Sequence, residues 1–129
     1  MNEENEASSE MKPIRMKVIG VGGAGTNIVD RLMLSNPSDV HLTAINTDQQ
    51  ALSSSPVMDK FCIGRTTTRG LGASGDSAVG REAALADRRL LEDMVKDVDL
   101  LFITAGLGGG TGTGVAPVLA DIAAQKGTT

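Results

Sequence analysis

The residues with the clearest chemical meaning form a glycine-rich segment from Ala105 to Gly114, which reads AGLGGGTGTG. Glycine has no side chain beyond Cα, so backbone N–H groups in such a segment can approach an oxyanion closely. Thr111 and Thr113 add hydroxyls that can donate to phosphate oxygens or cap a helix. Apolar runs flank the segment, whereas a flexible linker has polar flanks. The pattern predicts a phosphate-binding loop that ends at a helix N-terminus.

A second glycine pattern lies near the start of the chain, where Gly20-Val21-Gly22-Gly23-Ala24-Gly25 matches G-x-G-x-x-G. In dinucleotide-binding sites this turn is followed, ~20 residues further on, by an acidic residue that holds a ribose hydroxyl. Asp48 is placed suitably, so an NAD(P)-dependent oxidoreductase of the Rossmann type is one hypothesis. One pyrophosphate needs only one such loop, however. Two loops favour a longer phosphate chain, and neither contains the lysine of a P-loop.

Strands and helices alternate along the chain and position both glycine segments. Short apolar runs predict strands over residues 16–21, 40–46, 57–63 and 99–104, and helices are predicted over 27–34, 77–96 and 111–125, with a helical turn near 49–52. This alternation predicts an α/β fold with a parallel sheet, whose right-handed crossovers bring the loops after the strands to one edge. The long loop over residues 64–75 is expected to reach that edge as well. It contains Arg65 and Arg69, whose side chains would either contact a phosphate or be solvated loop charges.

The composition limits the partners of the chain. Its 129 residues carry a net charge of −4 and only two aromatic side chains, Phe61 and Phe102, which disfavours a nucleic-acid partner. Cys62 is the only cysteine, so a disulfide within the chain is excluded. No stretch approaches ~20 apolar residues, so we expect a cytoplasmic location without direct membrane insertion. Residues 1–13 carry four glutamates and little that is apolar, which predicts a disordered acidic tail.

Four segments, in order along the chain, resemble the nucleotide loops of the tubulin/FtsZ family of GTPases. They are Gly22-Gly23-Ala24-Gly25, Ile45-Asn46-Thr47-Asp48, Arg69-Gly70-Leu71-Gly72-Ala73 and the signature-like Gly108-Gly109-Gly110-Thr111-Gly112-Thr113-Gly114. The resemblance implies a Rossmann-like parallel sheet of strand order 3-2-1-4, flanked by helices and truncated from a larger 3-2-1-4-5-6 sheet. Residues 14–129 would then be the N-terminal part of a GTP-binding domain that is incomplete at its C-terminus.

The resemblance also implies a ligand, which is GTP or GDP held by backbone amides, with Mg²⁺ bound through phosphates and water and not directly by a side chain. The first glycine loop would contact the phosphates and the sugar side, the second and third would lie near the γ-phosphate and Mg²⁺, and the fourth would wrap the α- and β-phosphates. The expected nucleotide-binding residues are Gly22, Gly23, Ala24, Gly25, Thr26, Asn27, Asn46, Gly72, Ala73, Gly108, Gly109, Gly110, Thr111, Gly112 and Thr113.

For function, the resemblance implies a GTP-hydrolysing cytoskeletal protein that polymerises head to tail into filaments for bacterial cell division, at mid-cell and with division-ring proteins as partners. It places the catalytic carboxylates in the part of the family beyond residue 129, acting at the interface between subunits. No catalytic residue is therefore expected in this chain, and we expect residues 1–129 alone not to hydrolyse GTP. An NAD(P)-dependent oxidoreductase and a non-catalytic nucleotide-binding paralogue are the alternatives.

Overall fold

The four predicted strands form one parallel sheet in which the third strand of the chain pairs with the second, the second with the first and the first with the fourth, which confirms the predicted fold class and strand order. The computed structural model describes residues 13–35 and 39–129. Residues 1–12 of the predicted tail therefore lie outside the described residues. In chain order the elements are β1 (Met16–Val21), α1 (Gly22–Ser35), β2 (Val40–Asn46), α2 (Gln49–Ser53), β3 (Asp59–Cys62), α3 (Arg65–Thr68), α4 (Ser77–Ala86), α5 (Arg88–Val95), β4 (Leu100–Ala105) and α6 (Gly110–Gln125).

The register of the strands brings the loops together. Val21 at the end of β1 lies opposite Ile45 of β2 and opposite Ala105 of β4, so these three strands end side by side. We call the segments at this edge loop 1 (residues 20–25), loop 2 (45–48), loop 3 (64–75) and loop 4 (105–114). Because parallel strands point the same way, all four loops reach one edge of the sheet.

Both faces of the sheet are covered by helices, although unequally. One face packs against α4, α5 and α6 through a core that includes Ile19, Ile45, Leu91, Leu119 and Ile122, all fully buried. On the other face, α1 and α2 cover a smaller cluster formed by the buried residues Val29, Ala44, Leu52 and Val57. Burial of each large aliphatic side chain contributes about 1.5–3 kcal/mol, so the first layer holds most of the apolar stabilisation.

The helix predicted over residues 77–96 is wrong as one element, because α4 ends at Ala86 and α5 begins at Arg88. Asp87 between them has φ −109° and ψ 31°, outside helical values. Its Oδ2 accepts a hydrogen bond from the Gly64 N–H at 2.6 Å, which ties the start of loop 3 to the helix break. Aspartate favours such side-chain bonding over a helix interior.

Other element ends differ from the prediction by smaller amounts. Helix α1 begins at Gly22 and not at residue 27, α6 begins one residue early, β3 is shorter than predicted, β4 is shifted by one residue, and loop 3 contains α3. The outer edge of β4 is paired at its start, where Thr129 N donates to Asp99 O at 3.2 Å and Leu101 N donates to Thr129 O at 2.8 Å. Within the described residues, no helix is long and apolar enough to cross a membrane.

A polar cluster lies at the opposite edge of the sheet. Asp59 Oδ2 bonds His41 Nε2 at 2.6 Å and accepts from Thr43 Oγ1 at 2.8 Å, and Lys17 Nζ donates to Met94 O at 2.8 Å. Burial alone would raise the pKa of Asp59, but its hydrogen bonds to His41 and Thr43 and the nearby positive charges hold that pKa below the ordinary value.

Replacement of Asp59 by asparagine should therefore destabilise the fold in a pH-dependent way. A carboxyl whose folded-state pKa is depressed stabilises above its unfolded-state pKa of about 3.9, and this contribution is lost as the pH falls through the folded-state value. We expect Asp59→Asn to lower the free energy of unfolding by about 0.5–1 kcal/mol at pH 7, and by less at pH 3, in urea titrations. The exposed control Asp93→Asn should change little, and a deficit that grows in acid would contradict the argument.

Candidate nucleotide-phosphate site

A cavity of about 350 Å³ opens at the carboxyl edge of the sheet, where the four loops meet. Of the predicted site residues, it is lined by Gly22, Gly23, Ala24, Asn46, Gly72, Ala73, Gly109, Gly110, Thr111 and Gly112. Its other lining residues were not among the expected nucleotide-binding residues; they are Val21, Asp48, Ala51, Leu71, Ser74, Gly75, Gly106 and Leu107. All of them except Ala51 lie within two positions of a predicted residue, so extending each predicted segment by two positions includes them.

Five predicted residues do not line this cavity. Gly25 is buried, and a Cβ on it would collide with the Thr104 carbonyl oxygen of β4. Thr26 and Asn27 line an adjoining cavity of about 370 Å³ between α1 and α2. At the outer rim of loop 4, Gly108 N donates to Thr113 Oγ1 at 3.2 Å. Nucleotide contact stays a prediction for these five residues and equally for the ten that line the cavity.

Two helix N-termini provide the main polar groups of the cavity. Helix α6 follows Gly109, which has no side chain to cap it, and Thr113 N donates back to Gly109 O at 3.0 Å. The N–H groups of Gly110, Thr111 and Gly112 come before this hydrogen bond in the helix. They therefore have no partner within the helix and are available to a ligand. Helix α1 presents its first turn to the same cavity, and neither first turn contains an acidic residue that would offset the positive end of the dipole.

The glycines let loops 1 and 4 approach closely around these amides. A Cβ on Gly22 would lie 3.2 Å from Gly112 N, and Gly22 has a φ of +75°, which other residues rarely adopt. A Cβ on Gly110 would lie 2.6 Å from Asp76 N, so loop 4 also packs tightly on the segment that follows loop 3. Gly109 differs, because no atom lies within 4 Å of the position its Cβ would take.

Loop 2 orients its polar side chains through hydrogen bonds of its own. The side-chain oxygen of Asn46 accepts from Thr47 N at 2.8 Å and from Asp48 N at 3.2 Å, which leaves the amide nitrogen as the end that can donate into the cavity. Asp48 caps α2, accepting from Ala51 N at 3.0 Å. Asn46 therefore suits an anionic oxygen better than a cation.

Loop 3 is held against loop 2 by backbone hydrogen bonds. Gln49 N donates to Gly70 O at 3.0 Å, and Gly72 N donates to Thr47 O at 3.2 Å. Ser74, which lines the cavity, has a left-handed φ of 52° that costs a non-glycine residue about 1 kcal/mol. Strained residues persist where the surroundings fix them, often at ligand sites.

No lysine or arginine of the described ranges lines the cavity. Arg65 donates to Gln49 Oε1 at 2.9 Å, and Arg69 lines a different hollow on the outside of loop 3. Residues 13–35 and 39–129 also contain no cluster of three or more His, Cys, Asp or Glu side chains that could hold a metal ion. An anion in this cavity would therefore be stabilised by backbone amides and helix dipoles. Any further positive charge near it would have to arrive together with the ligand.

The sequence matches the family described as "Tubulin/FtsZ family, GTPase domain" over residues 15–129. The chain belongs to the tubulin/FtsZ family. This membership confirms the resemblance carried by the four loops, and it gives the dinucleotide-oxidoreductase hypothesis no support. Loops 1 to 4 of this tubulin/FtsZ domain contain the four segments that carry the resemblance.

Individual members of the tubulin/FtsZ family are similar over most of the chain. Cell division protein FtsZ of Aquifex aeolicus is 50% identical over 117 residues, which are 91% of this chain and 32% of that protein. A solved FtsZ dimer of M. jannaschii, described as empty, has a TM-score of 0.88 with 40% identity and covers 99% of this chain and 38% of its own. A GTPγS-bound protofilament of CetZ2 from Haloferax volcanii has a TM-score of 0.75, with 32% identity over 83% of this chain and 35% of its own. The chain spans about a third of the length of the curated relatives.

Proposed function

We propose that this chain binds the phosphates of GTP or GDP and forms the phosphate-binding part of a GTP-hydrolysing cytoskeletal protein. The observation that carries the proposal is the opening of two helix N-termini, those of α1 and α6, onto one cavity whose described lining includes no basic side chain. Free amides and helix dipoles are sufficient to bind an oxyanion. Membership of the tubulin/FtsZ family, GTPase domain, supports guanine as the base.

Within this proposal, each loop takes a part of the triphosphate. The amides of Gly110, Thr111 and Gly112 would contact the α- and β-phosphates, and Gly72 and Ala73 would lie near the γ-phosphate. Loop 1 would contact the phosphates and the sugar side. A volume of about 350 Å³ suits the phosphates better than a whole nucleotide, so the base would extend beyond these loops.

The cavity fits Mg²⁺ as a partner of the phosphates. Mg²⁺ would be held here by phosphate oxygens and water and not directly by a side chain, because the one carboxylate among the described lining residues, that of Asp48, already caps α2. The ion would neutralise charge on the phosphoryl group that is transferred. Asn46 would donate to a phosphate oxygen beside it, because its side-chain oxygen already accepts two backbone amides.

Hydrolysis needs a group that activates water, and the described lining of the cavity offers only Asp48 as a carboxylate. Asp48 already caps α2. As the resemblance to the family implies, we propose that the catalytic carboxylates come from a neighbouring subunit, within head-to-tail filaments that serve bacterial cell division at mid-cell in the cytoplasm. Division-ring proteins are the further partners in this proposal. The relatives named as an FtsZ dimer and as a CetZ2 protofilament support self-association.

Titration of purified protein with GTP, GDP, GMP and NAD⁺ tests the proposal. Because the contacts are to phosphates, GTP and GDP should bind at least about tenfold more tightly than GMP in calorimetry. Residues 1–129 alone should show no GTP turnover. Tighter binding of NAD⁺ than of GTP, equal affinity for GMP and GTP, or turnover by residues 1–129 would each contradict part of the proposal.

A further inference from the structure

Thr47 connects three of the four loops, although it does not line the cavity. It is fully buried directly after β2, and its Oγ1 lies 2.6 Å from Thr111 Oγ1 in loop 4. Its carbonyl oxygen accepts from Gly72 N and from Thr68 Oγ1 of loop 3, each at 3.2 Å. One residue of loop 2 thus contacts loop 4 through its side chain and loop 3 through its backbone.

The hydroxyl pair has a directional consequence. Either oxygen can be the donor, because each hydroxyl has one proton and can also accept. Thr111 lines the cavity and Thr47 does not, so only Thr111 can give its proton to a bound oxyanion. When Thr111 does so, it can keep its bond to Thr47 only as an acceptor, and Thr47 must then donate.

We infer that Thr47 is a positioning residue of the phosphate site, whose hydroxyl turns the Thr111 proton toward the ligand while its carbonyl holds loop 3 beside it. This inference rests on the proposed function. It links the loop expected near the γ-phosphate to the loop expected around the α- and β-phosphates. Buried hydroxyl pairs of this kind orient groups strongly, because the low local dielectric penalises any unpaired alternative.

Thr47→Val tests the side-chain half of this link, since valine keeps the shape and the backbone carbonyl but cannot donate. We expect GTP affinity to fall about tenfold, as for loss of one buried hydrogen bond. Thr47→Ser retains the hydroxyl and should stay within about threefold of the wild type. With Thr111→Val already present, Thr47→Val should cause little further loss, because both substitutions remove one shared interaction.

The matched control is Thr43→Val, four residues earlier in the chain and within β2. Thr43 is also fully buried, and its hydroxyl donates to Asp59 Oδ2 at the opposite edge of the sheet. It should lower stability without changing GTP affinity. If Thr47→Val weakens binding no more than Thr43→Val does, or if serine fails to restore it, Thr47 has only a structural role.

A second measurement covers the case in which Thr47→Val does not fold. In the wild type, GTP should slow hydrogen exchange at the Gly72 amide, which donates to the Thr47 carbonyl, and Thr111→Val should remove that slowing. Slowing that persists in Thr111→Val would overturn the inference while leaving the proposed function intact. A wild-type protein that binds neither GTP nor GDP would instead refute the proposed function.

Discussion

Replacement of Gly109 by valine should abolish phosphate binding and leave the fold intact. Gly109 precedes α6 with φ −80° and ψ 137°, an extended conformation that valine adopts readily. No atom lies within 4 Å of its potential Cβ, so the side chain branches from a position in open space. Gly109 lines the cavity, so the two added methyl groups would occupy the space beside the helix N-terminus that the ligand needs.

We expect a loss of GTP affinity of at least about 100-fold in calorimetry, since the variant excludes phosphate from the free amides of α6. The melting temperature should move by no more than about 2 °C, as for a surface substitution. Ala120→Val, at an exposed position of the same helix, controls for added β-branching and should bind like the wild type. A Gly109→Val protein with unchanged affinity would rule out loop 4 as the phosphate contact.

The position of this site could be predicted because it depends on sequence-local features. Apolar runs that alternate between strand and helix spacing require a parallel sheet, and a parallel sheet gathers its loops at one edge. The glycine segments at 20–25 and 105–114 were therefore predicted to meet, and a Cβ on Gly22 would indeed lie 3.2 Å from Gly112 N. Neither glycine segment contains the lysine of a P-loop, which agrees with the absence of lysine and arginine from the described lining of the cavity.

Features that depend on contacts between distant residues could not be predicted in this way. Apolar spacing continues across Asp87, and the break there reflects a hydrogen bond to Gly64, 23 residues earlier in the chain. The role of Thr47 depends on Thr111, 64 residues later. Asn46 was predicted as a site residue from its loop alone. That its side-chain nitrogen is the end available to a ligand follows from two backbone amides, which only the folded loop places around the side-chain oxygen.

The crossing of α4 and α6 depends on two glycines in the same way, and it should be highly sensitive to a single added methyl group. A Cβ on Gly114 would lie 2.5 Å from Arg81 N and would collide with the Ser77 carbonyl oxygen. A Cβ on Gly80 would collide with the Gly110 carbonyl oxygen. The two helix backbones are therefore in direct contact, and neither side can yield by rotating a side chain.

Gly114→Ala should lower the free energy of unfolding by about 3 kcal/mol, because overpacking against backbone outweighs the better helix propensity of alanine. Gly23→Ala is the matched control, since Gly23 also lies in a helix and has no atom within 4 Å of its potential Cβ. That variant should be as stable as the wild type or up to about 1 kcal/mol more stable. Urea titration measures both differences, and an increase in stability for Gly114→Ala would show that the helices can separate without cost.

The same substitution should also weaken GTP binding in whatever fraction stays folded. Helix α4 follows Asp76, whose backbone nitrogen would lie 2.6 Å from a Cβ on Gly110 at the start of α6. A shift between the two helices therefore moves loop 3 relative to the amides of loop 4. Because a phosphate must contact both loops at hydrogen-bond distance, a displacement well under 1 Å is enough to lengthen one set of bonds. The contact between α4 and α6 that stabilises the fold thus also sets the width of the proposed phosphate site.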